Sequence, residues 1–110
     1  MISLYLSQSF NWPLLEKVLT EWIRDDKSLA ILGDVNIDYY HKKTHPFLKF
    51  MGSKNFVQLI KKPTSDGGGL IDHIYINQHL QEKNPFHSQR SVYFTNHDEI
   101  VLQIPLLNDQ

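Results

Sequence analysis

The stretch that decides the fold covers residues 31–38 and reads ILGDVNID. The apolar run at residues 29–32 is typical of a short strand covered on both faces, and Gly33 allows a tight turn or a close backbone approach. If the chain stays extended, Asp34 and Asn36 point the same way. A carboxylate and an amide at the carboxyl end of a strand suit a phosphate or metal site. An Asx turn that merely closes the strand would use the same residues.

The composition limits the classes of protein that this chain can represent. Its 110 residues fit one small domain or part of a larger one, and 41% of them are hydrophobic. The net charge of −1 provides no overall basic field for nucleic acid. The lack of cysteine excludes disulfides, thiol catalysis and cysteine zinc sites. We expect no membrane partner, because the longest apolar runs are far too short to span a bilayer.

The segment before this stretch predicts a strand and a helix. Residues 2–7 alternate between apolar and other side chains, as in a strand with one apolar face. Asn11 and Pro13 are typical of a helix start, and an apolar stripe that includes Trp22 follows and is expected to face the core. Strand, helix and the strand at 29–32 predict a right-handed crossover with parallel strands. A strand that begins at residue 1 suggests a chain cut from a longer domain.

The segment after this stretch predicts alternating short elements and loops. Residues 38–45 form a polar loop with a basic and aromatic cluster, which is either a ligand contact or simply a solvated loop. We predict a helix at 47–51 ended by Gly52, strands at 56–60 and 70–76, a loop at 77–90, and a hairpin of strands 91–94 and 100–104. Asp72 interrupts an apolar strand, so it should face a hydrogen-bond donor.

Three polar clusters at strand ends together suggest a chemistry. We expect Asp72 to accept a hydrogen bond from one ring nitrogen of His97, leaving the other for a phosphate oxygen. Asp34 could orient or deprotonate an attacking water, and Asn36 could donate to the phosphoryl group as charge develops. We expect Asp34 and Asn36 to open into one cleft. These residues predict phosphoester hydrolysis.

Three motifs occur in an order that resembles a known superfamily. The sequences GDVN at 33–36, LIDHI at 70–74 and TNHD at 95–98 resemble the late motifs of the endonuclease/exonuclease/phosphatase superfamily. The resemblance is closest to the endonuclease domain of non-LTR retrotransposons and related mobile elements, in which Pro-Thr, a loop and Ile-Asp-His-Ile run together as at Pro63 to Ile74. It covers nearly the whole chain.

The resemblance implies a fold and a domain organisation. It implies an α/β fold that is half of a two-sheet αββα sandwich, with one mixed sheet and helices on one face. Residues 1–110 would form a single partial domain whose N-terminal half is missing. We therefore expect an apolar sheet face that the missing half or another chain would cover.

The resemblance also implies an activity. It implies a metal-dependent DNA endonuclease with Mg²⁺ or Mn²⁺ as cofactor, DNA as partner, and catalytic residues Asp34, Asn36, Asp72 and His97. The cell compartment would be intracellular, and nuclear for a mobile element. Asn96 stands where the family has an aspartate, which makes it a doubtful catalytic or metal position. The family's metal-binding glutamate would precede Ile2. We expect this chain alone to be weak or inactive.

Two other interpretations stay open. A degenerate, non-catalytic domain could bind nucleic acid or another chain through the same half-site. A calcineurin-like metallophosphatase uses motifs that Gly33, Asp34, Asp38 and residues 96–98 imitate, but the sequence has no upstream Asp-x-His for a second metal. The histidines other than His97 are expected to be mostly solvated, and none are spaced as a zinc motif.

Overall fold

A computed structural model describes residues 1–7, 9–24, 26–65, 67–90 and 99–103 of the chain. Strands and helices alternate along the first part of the chain, and two strands close the described part. The elements are β1 Ile2–Tyr5, α1 Trp12–Trp22, β2 Ala30–Asp34, α2 Pro46–Ser53, β3 Val57–Gln58, β4 Asp72–Ile76, α3 Gln78–Gln81, β5 Phe86–Arg90 and β6 Glu99–Gln103.

Four strands form one mixed sheet in the order β1-β2-β4-β3. β1 runs parallel to β2, whereas β4 is antiparallel to both β2 and β3. The strands β5 and β6 pair with each other in antiparallel orientation. The prediction of an α/β fold with one mixed sheet is therefore confirmed.

The first strand, helix and strand follow the sequence pattern closely. The Asn11 side chain accepts a hydrogen bond from Leu14 N at 3.1 Å and so caps α1, with Pro13 in the first turn. β1 and β2 are parallel neighbours, as the crossover prediction requires. Leu19 is fully buried, but Trp22 is 55% exposed. The prediction that Trp22 lies in the core is wrong, because only one edge of the helix stripe contacts the sheet.

The two faces of the sheet carry separate apolar clusters. On the helix face, to which Ile31 and Tyr75 point, the sheet packs against Leu19 of α1 and Phe47 of α2. We call the opposite side the carboxylate face, and its buried residues come from β2, β4, the loops and α3: Ala30, Ile60, Leu70, Ile74, Ile76 and Leu80. The two longer helices thus cover one face, as predicted.

The expectation of an apolar carboxylate face left open is wrong for the central strands. Ala30 and Ile74 are buried there, and Ile100 and Leu102 of β6 pack against the same cluster. At the two edges of this face, Tyr5 of β1 is 81% exposed and Val57 of β3, directly opposite Ile76, is 41% exposed. Ile100 and Leu102 of β6 therefore cover part of the face that we had expected another segment to cover.

The predicted loop at 77–90 is wrong, because this segment contains α3 and β5. The last described strand, β6, pairs with β5, from Phe86 opposite Gln103 to Arg90 opposite Glu99. The sequence FHSQR carries too few apolar residues to indicate a strand, and it is the pairing with β6 that supplies its backbone hydrogen bonds. The predicted strand at 91–94 lies outside the described residues.

Candidate functional site

Two of the predicted site residues are brought together at one end of the sheet. Asp34 is the last residue of β2 and Asp72 the first of β4, and the two are directly opposite in the antiparallel register. Directly opposite residues of an antiparallel pair project to the same side. Both carboxylates therefore belong to the carboxylate face, and Tyr5 of β1 is the register neighbour of Asp34.

A turn links Asp34 to Asn36. The backbone N–H of Asn36 donates to Asp34 Oδ1 at 3.0 Å, and Asn36 has a φ of 55°. The Asn36 amide Nδ2 donates to the carbonyl of Leu6 at 3.3 Å, just beyond the end of β1. The chain thus forms the Asx turn that the sequence left open and does not continue extended. This turn holds the amide of Asn36 beside the edge strand.

A groove of about 630 Å³ borders this turn. Asn36 lines it together with Asp38, Lys42, His45 and Ser65. Asn36 is among the residues that line the groove, and the expectation that Asp34 and Asn36 open into one cleft stays a prediction.

The start of β4 is held by one buried hydroxyl group. Thr64 Oγ1 accepts from the backbone N–H groups of Ile71 at 3.1 Å and of Asp72 at 3.0 Å. Thr64 is 1% exposed, and its own N–H donates to Gly69 O at 3.0 Å. Asp72 itself is 8% exposed. Thr64, which the sequence showed only as part of a Pro-Thr pair, therefore fixes the backbone that carries Asp72.

A second carboxylate site follows the turn. Asp38 Oδ2 lies 2.5 Å from His41 Nδ1, and Asp38 Oδ1 accepts from Tyr40 N at 3.3 Å and Leu70 N at 3.4 Å. Burial acts to raise the pKa of Asp38, but the His41 and backbone hydrogen bonds lower it overall. An ionised Asp38 thus anchors the polar loop to the segment before β4.

Two consecutive hydrogen bonds through the buried His73 ring, which we call the His73 relay, lie on the helix face of β4. His73 is fully buried, and its Nε2 donates to Leu70 O at 2.8 Å, since a carbonyl oxygen only accepts. Its Nδ1 then accepts from the Tyr75 hydroxyl at 2.8 Å. Burial lowers the pKa of His73, although the Leu70 carbonyl and Asp72 oppose that shift, and burial raises the pKa of Tyr75. Both groups are therefore neutral.

His73 is an exception to the expectation that the histidines other than His97 are mostly solvated. It lies on the same face of β4 as Tyr75, two residues away. That two-residue spacing between a histidine and a tyrosine on an apolar strand is the signal that could have found it.

The third predicted cluster lies outside the described residues. Asn96, His97 and Asp98 belong to it, so the contact between Asp72 and His97 stays a prediction. Within the described ranges, no group of three or more His, Asp or Glu side chains could hold a metal ion. Mg²⁺ is commonly held by one or two carboxylates together with water and phosphate oxygens, so the described carboxylates would supply only part of such a ligand set.

Comparison with protein-family models, with curated proteins and with solved structures finds no match. In the part of the chain that the structure describes, no helix is both long enough and apolar enough to span a membrane.

Proposed function

We propose that this chain carries the strand-borne part of a phosphodiesterase site that acts on DNA, of the kind found in mobile-element endonucleases, and that the chain alone is weak or inactive. The observation that carries the proposal is the placement of Asp34 directly opposite Asp72 at one end of the sheet. The turn to Asn36 adds an amide donor next to the first carboxylate. Half of the family's two-sheet sandwich would have this arrangement.

Each side chain has a role that its contacts support. Asp34 would orient the attacking water, because its carboxylate is held in place by the Asn36 N–H. The Asn36 amide has two hydrogens, of which one is used by Leu6 O, so the second can reach a phosphoryl oxygen. Asp72, on a backbone fixed by Thr64, would orient the ring of His97.

The groove beside Asn36 supports DNA as the substrate. Lys42 and His45 line it, and a cationic side chain beside an amide donor suits a phosphate backbone.

A plasmid-nicking assay with Mg²⁺ tests the proposal. We expect the unmodified chain to nick near background and Asn96→Asp to nick faster, because a hard cation prefers a carboxylate to an amide. Adding Asp34→Asn or Asp72→Asn to Asn96→Asp should remove the gain, and Lys49→Gln on the exposed side of α2 is the matched control.

Two outcomes would reject the proposal. The first is nicking by the unmodified chain that survives His97→Ala, because the chemistry would then lie elsewhere. The second is the lack of nicking by Asn96→Asp even when it is fused to the upstream half of a related endonuclease.

A non-catalytic binding domain is the second candidate, and the incomplete metal ligand set of the described residues favours it. It predicts DNA binding in EDTA that Mg²⁺ does not convert into nicking in any of these variants.

A further inference from the structure

A second cavity lies on the helix face, between α2 and the loop that follows the Asx turn. Its volume is about 310 Å³, at the lower end of small-molecule pockets. Four aromatic rings line it, from Tyr39, Tyr40, Phe56 and Tyr75. The sequence had singled out the first two as part of a basic and aromatic cluster, and the proposed catalytic roles leave them unused.

The walls of this cavity, which we call the aromatic pocket, are held in place. Tyr39 packs edge-on against Tyr40, with ring centroids 5.5 Å apart, and edge-on against His73 at 5.6 Å. The Tyr40 hydroxyl donates to Lys61 O at 2.8 Å, although the residue is 41% exposed. Phe56 and Tyr75 are buried. An exposed ring fixed over buried rings is a preformed surface for stacking a planar ligand.

The charges around the aromatic pocket favour an anionic ligand. Lys43 lines the pocket, and Lys61 Nζ donates to the carbonyl of Gln58, another lining residue, at 2.8 Å. No acidic side chain occurs among the described residues that line it. A ligand with a planar ring and a nearby negative charge therefore complements both the aromatic residues of the pocket and the two lysines beside it.

The pocket has little capacity to read the edge of a planar ligand. The Gln58 amide oxygen accepts from Ile60 N at 2.7 Å and Ile74 N at 3.2 Å, and its nitrogen donates to Ile60 O at 2.6 Å. These bonds to the backbones of Ile60 and Ile74 leave the amide a single hydrogen for a ligand. Recognition in this pocket would therefore come mainly from stacking and charge, which accept any base.

We propose that the aromatic pocket binds one unstacked base of a single-stranded nucleic acid, with Lys43 at the adjoining phosphate. The choice of nucleic acid as the ligand rests on the proposed function. The same loop borders both cavities, with Asn36, Asp38 and Lys42 on the groove and the two tyrosines with Lys43 on the pocket. A strand whose phosphates follow the groove would therefore pass a stacking site.

The test is equilibrium binding in EDTA, measured by fluorescence anisotropy. The probes are a labelled oligothymidylate and an abasic oligonucleotide of the same length, which carry the same backbone charge. We expect the oligothymidylate to bind at least about fivefold more tightly, since stacking of one base on an aromatic side chain is worth that much or more. Because EDTA removes metal, the result is independent of any nicking activity.

Substitutions test whether the preference for the oligothymidylate arises in the aromatic pocket. Tyr40→Leu should remove the preference for the oligothymidylate, whereas Tyr40→Phe should keep it, because the ring and not the hydroxyl makes the stack. Trp22→Leu is the control for the loss of an exposed aromatic residue on α1. Lys43→Gln should weaken both probes equally, and Lys49→Gln should weaken neither.

Equal affinity for the two probes overturns the inference, as does a preference that survives Tyr40→Leu in a variant whose circular dichroism is unchanged. A base preference in the unmodified chain, together with no nicking by the fused Asn96→Asp protein, would reject the proposed function and keep the pocket. Nicking by the fused protein, together with equal affinity of the unmodified chain for the two probes, would reject the pocket and keep the proposed function.

Discussion

Asp34 and Asp72 face each other across β2 and β4, and each is held at its backbone by a different neighbour. The Asp34 carbonyl accepts from Leu6 N at 2.8 Å, while the Asp72 N–H donates to Thr64 Oγ1 at 3.0 Å. The separation of the two carboxylates is therefore set by the ends of β1 and of the loop before β4. Substitutions that weaken these backbone contacts should therefore shift the two carboxylates without changing either aspartate.

Removing the Thr64 hydroxyl should destabilise the chain. Thr64→Val leaves the buried N–H groups of Ile71 and Asp72 without their acceptor, at a cost of about 2 kcal/mol or more. Thr64→Ser keeps the acceptor and should cost only about 0.8 kcal/mol for the lost methyl group. Urea unfolding measures both. A loss for Thr64→Val no larger than that for Thr64→Ser would contradict the support of β4 by the hydroxyl group.

Gly33 should not tolerate a side chain. Its φ is +139°, and a Cβ built there would lie 2.0 Å from Leu4 O. We expect Gly33→Ala to lower the free energy of unfolding by at least about 2 kcal/mol, through backbone strain and overpacking. The control is Gly52→Ala in α2, where a Cβ meets nothing within 4 Å and should stabilise by up to about 1 kcal/mol. A tolerated Gly33→Ala in thermal melts would contradict the close approach of β1 to β2.

The His73 relay should be neutral and should depend on Tyr75. Nitrogen-detected NMR should show the Nε2–H tautomer of His73, with a titration midpoint below the ordinary 6.5. Tyr75→Phe leaves the buried Nδ1 without its donor and should cost about 1–3 kcal/mol. Tyr5→Phe, at an 81% exposed site, should change stability by less than about 0.5 kcal/mol. A protonated His73 at neutral pH would disprove the relay.

The cap of α2 should make stability depend on pH. His45 Nδ1 accepts from Phe47 N at 3.0 Å, and burial together with Lys42 lowers the pKa of His45 below 6.5. The unfolded chain therefore binds this proton more readily. The stability that His45 contributes is complete above about pH 6.5 and is lost as the pH falls through the lower folded-state pKa.

His45→Asn isolates this contribution, because asparagine keeps a capping oxygen and does not titrate. We expect urea unfolding to give similar stabilities for the two proteins at pH 7 and a growing deficit of the wild type as the pH falls. A difference between them that stays constant with pH would exclude His45 as the titrating group, since all other titrations are shared.

The sequence predicted well those elements whose own residues carry the pattern. The alternation of apolar and other residues predicted β1, the capping asparagine predicted the start of α1, and the apolar run that ends at glycine predicted β2. β5 was missed because its strand character comes from pairing with β6 and not from its side chains. Trp22 was misplaced because periodicity gives the direction of a stripe but not the width of the surface that covers it.

Only part of the candidate site could be predicted from the sequence, and the reasons are similar. The motifs gave Asp34 and Asp72, which the register brings opposite each other. The roles of Thr64 and His73 depend on which backbone atoms come near them after folding, and motif spacing carries no information about that. The sequence left the conformation between Asp34 and Asn36 open, because an Asx turn and an extended strand use the same residues there.

Because Leu4 lies so close to Gly33, the neighbouring residues Gly33 and Asp34 are constrained for different reasons although they belong to one motif. A substitution at Gly33 acts on folding, because the carbonyl of β1 occupies the space of any side chain. Under the proposed function, a substitution of Asp34 by asparagine would keep an acceptor for the turn and remove the carboxylate that the chemistry requires. A copy of this gene released from selection for that chemistry, but still required to fold, would then keep the glycine and be free to lose the aspartate. Under the same proposal, changes at Asp34 without changes at Gly33 among related copies would mark the loss of activity.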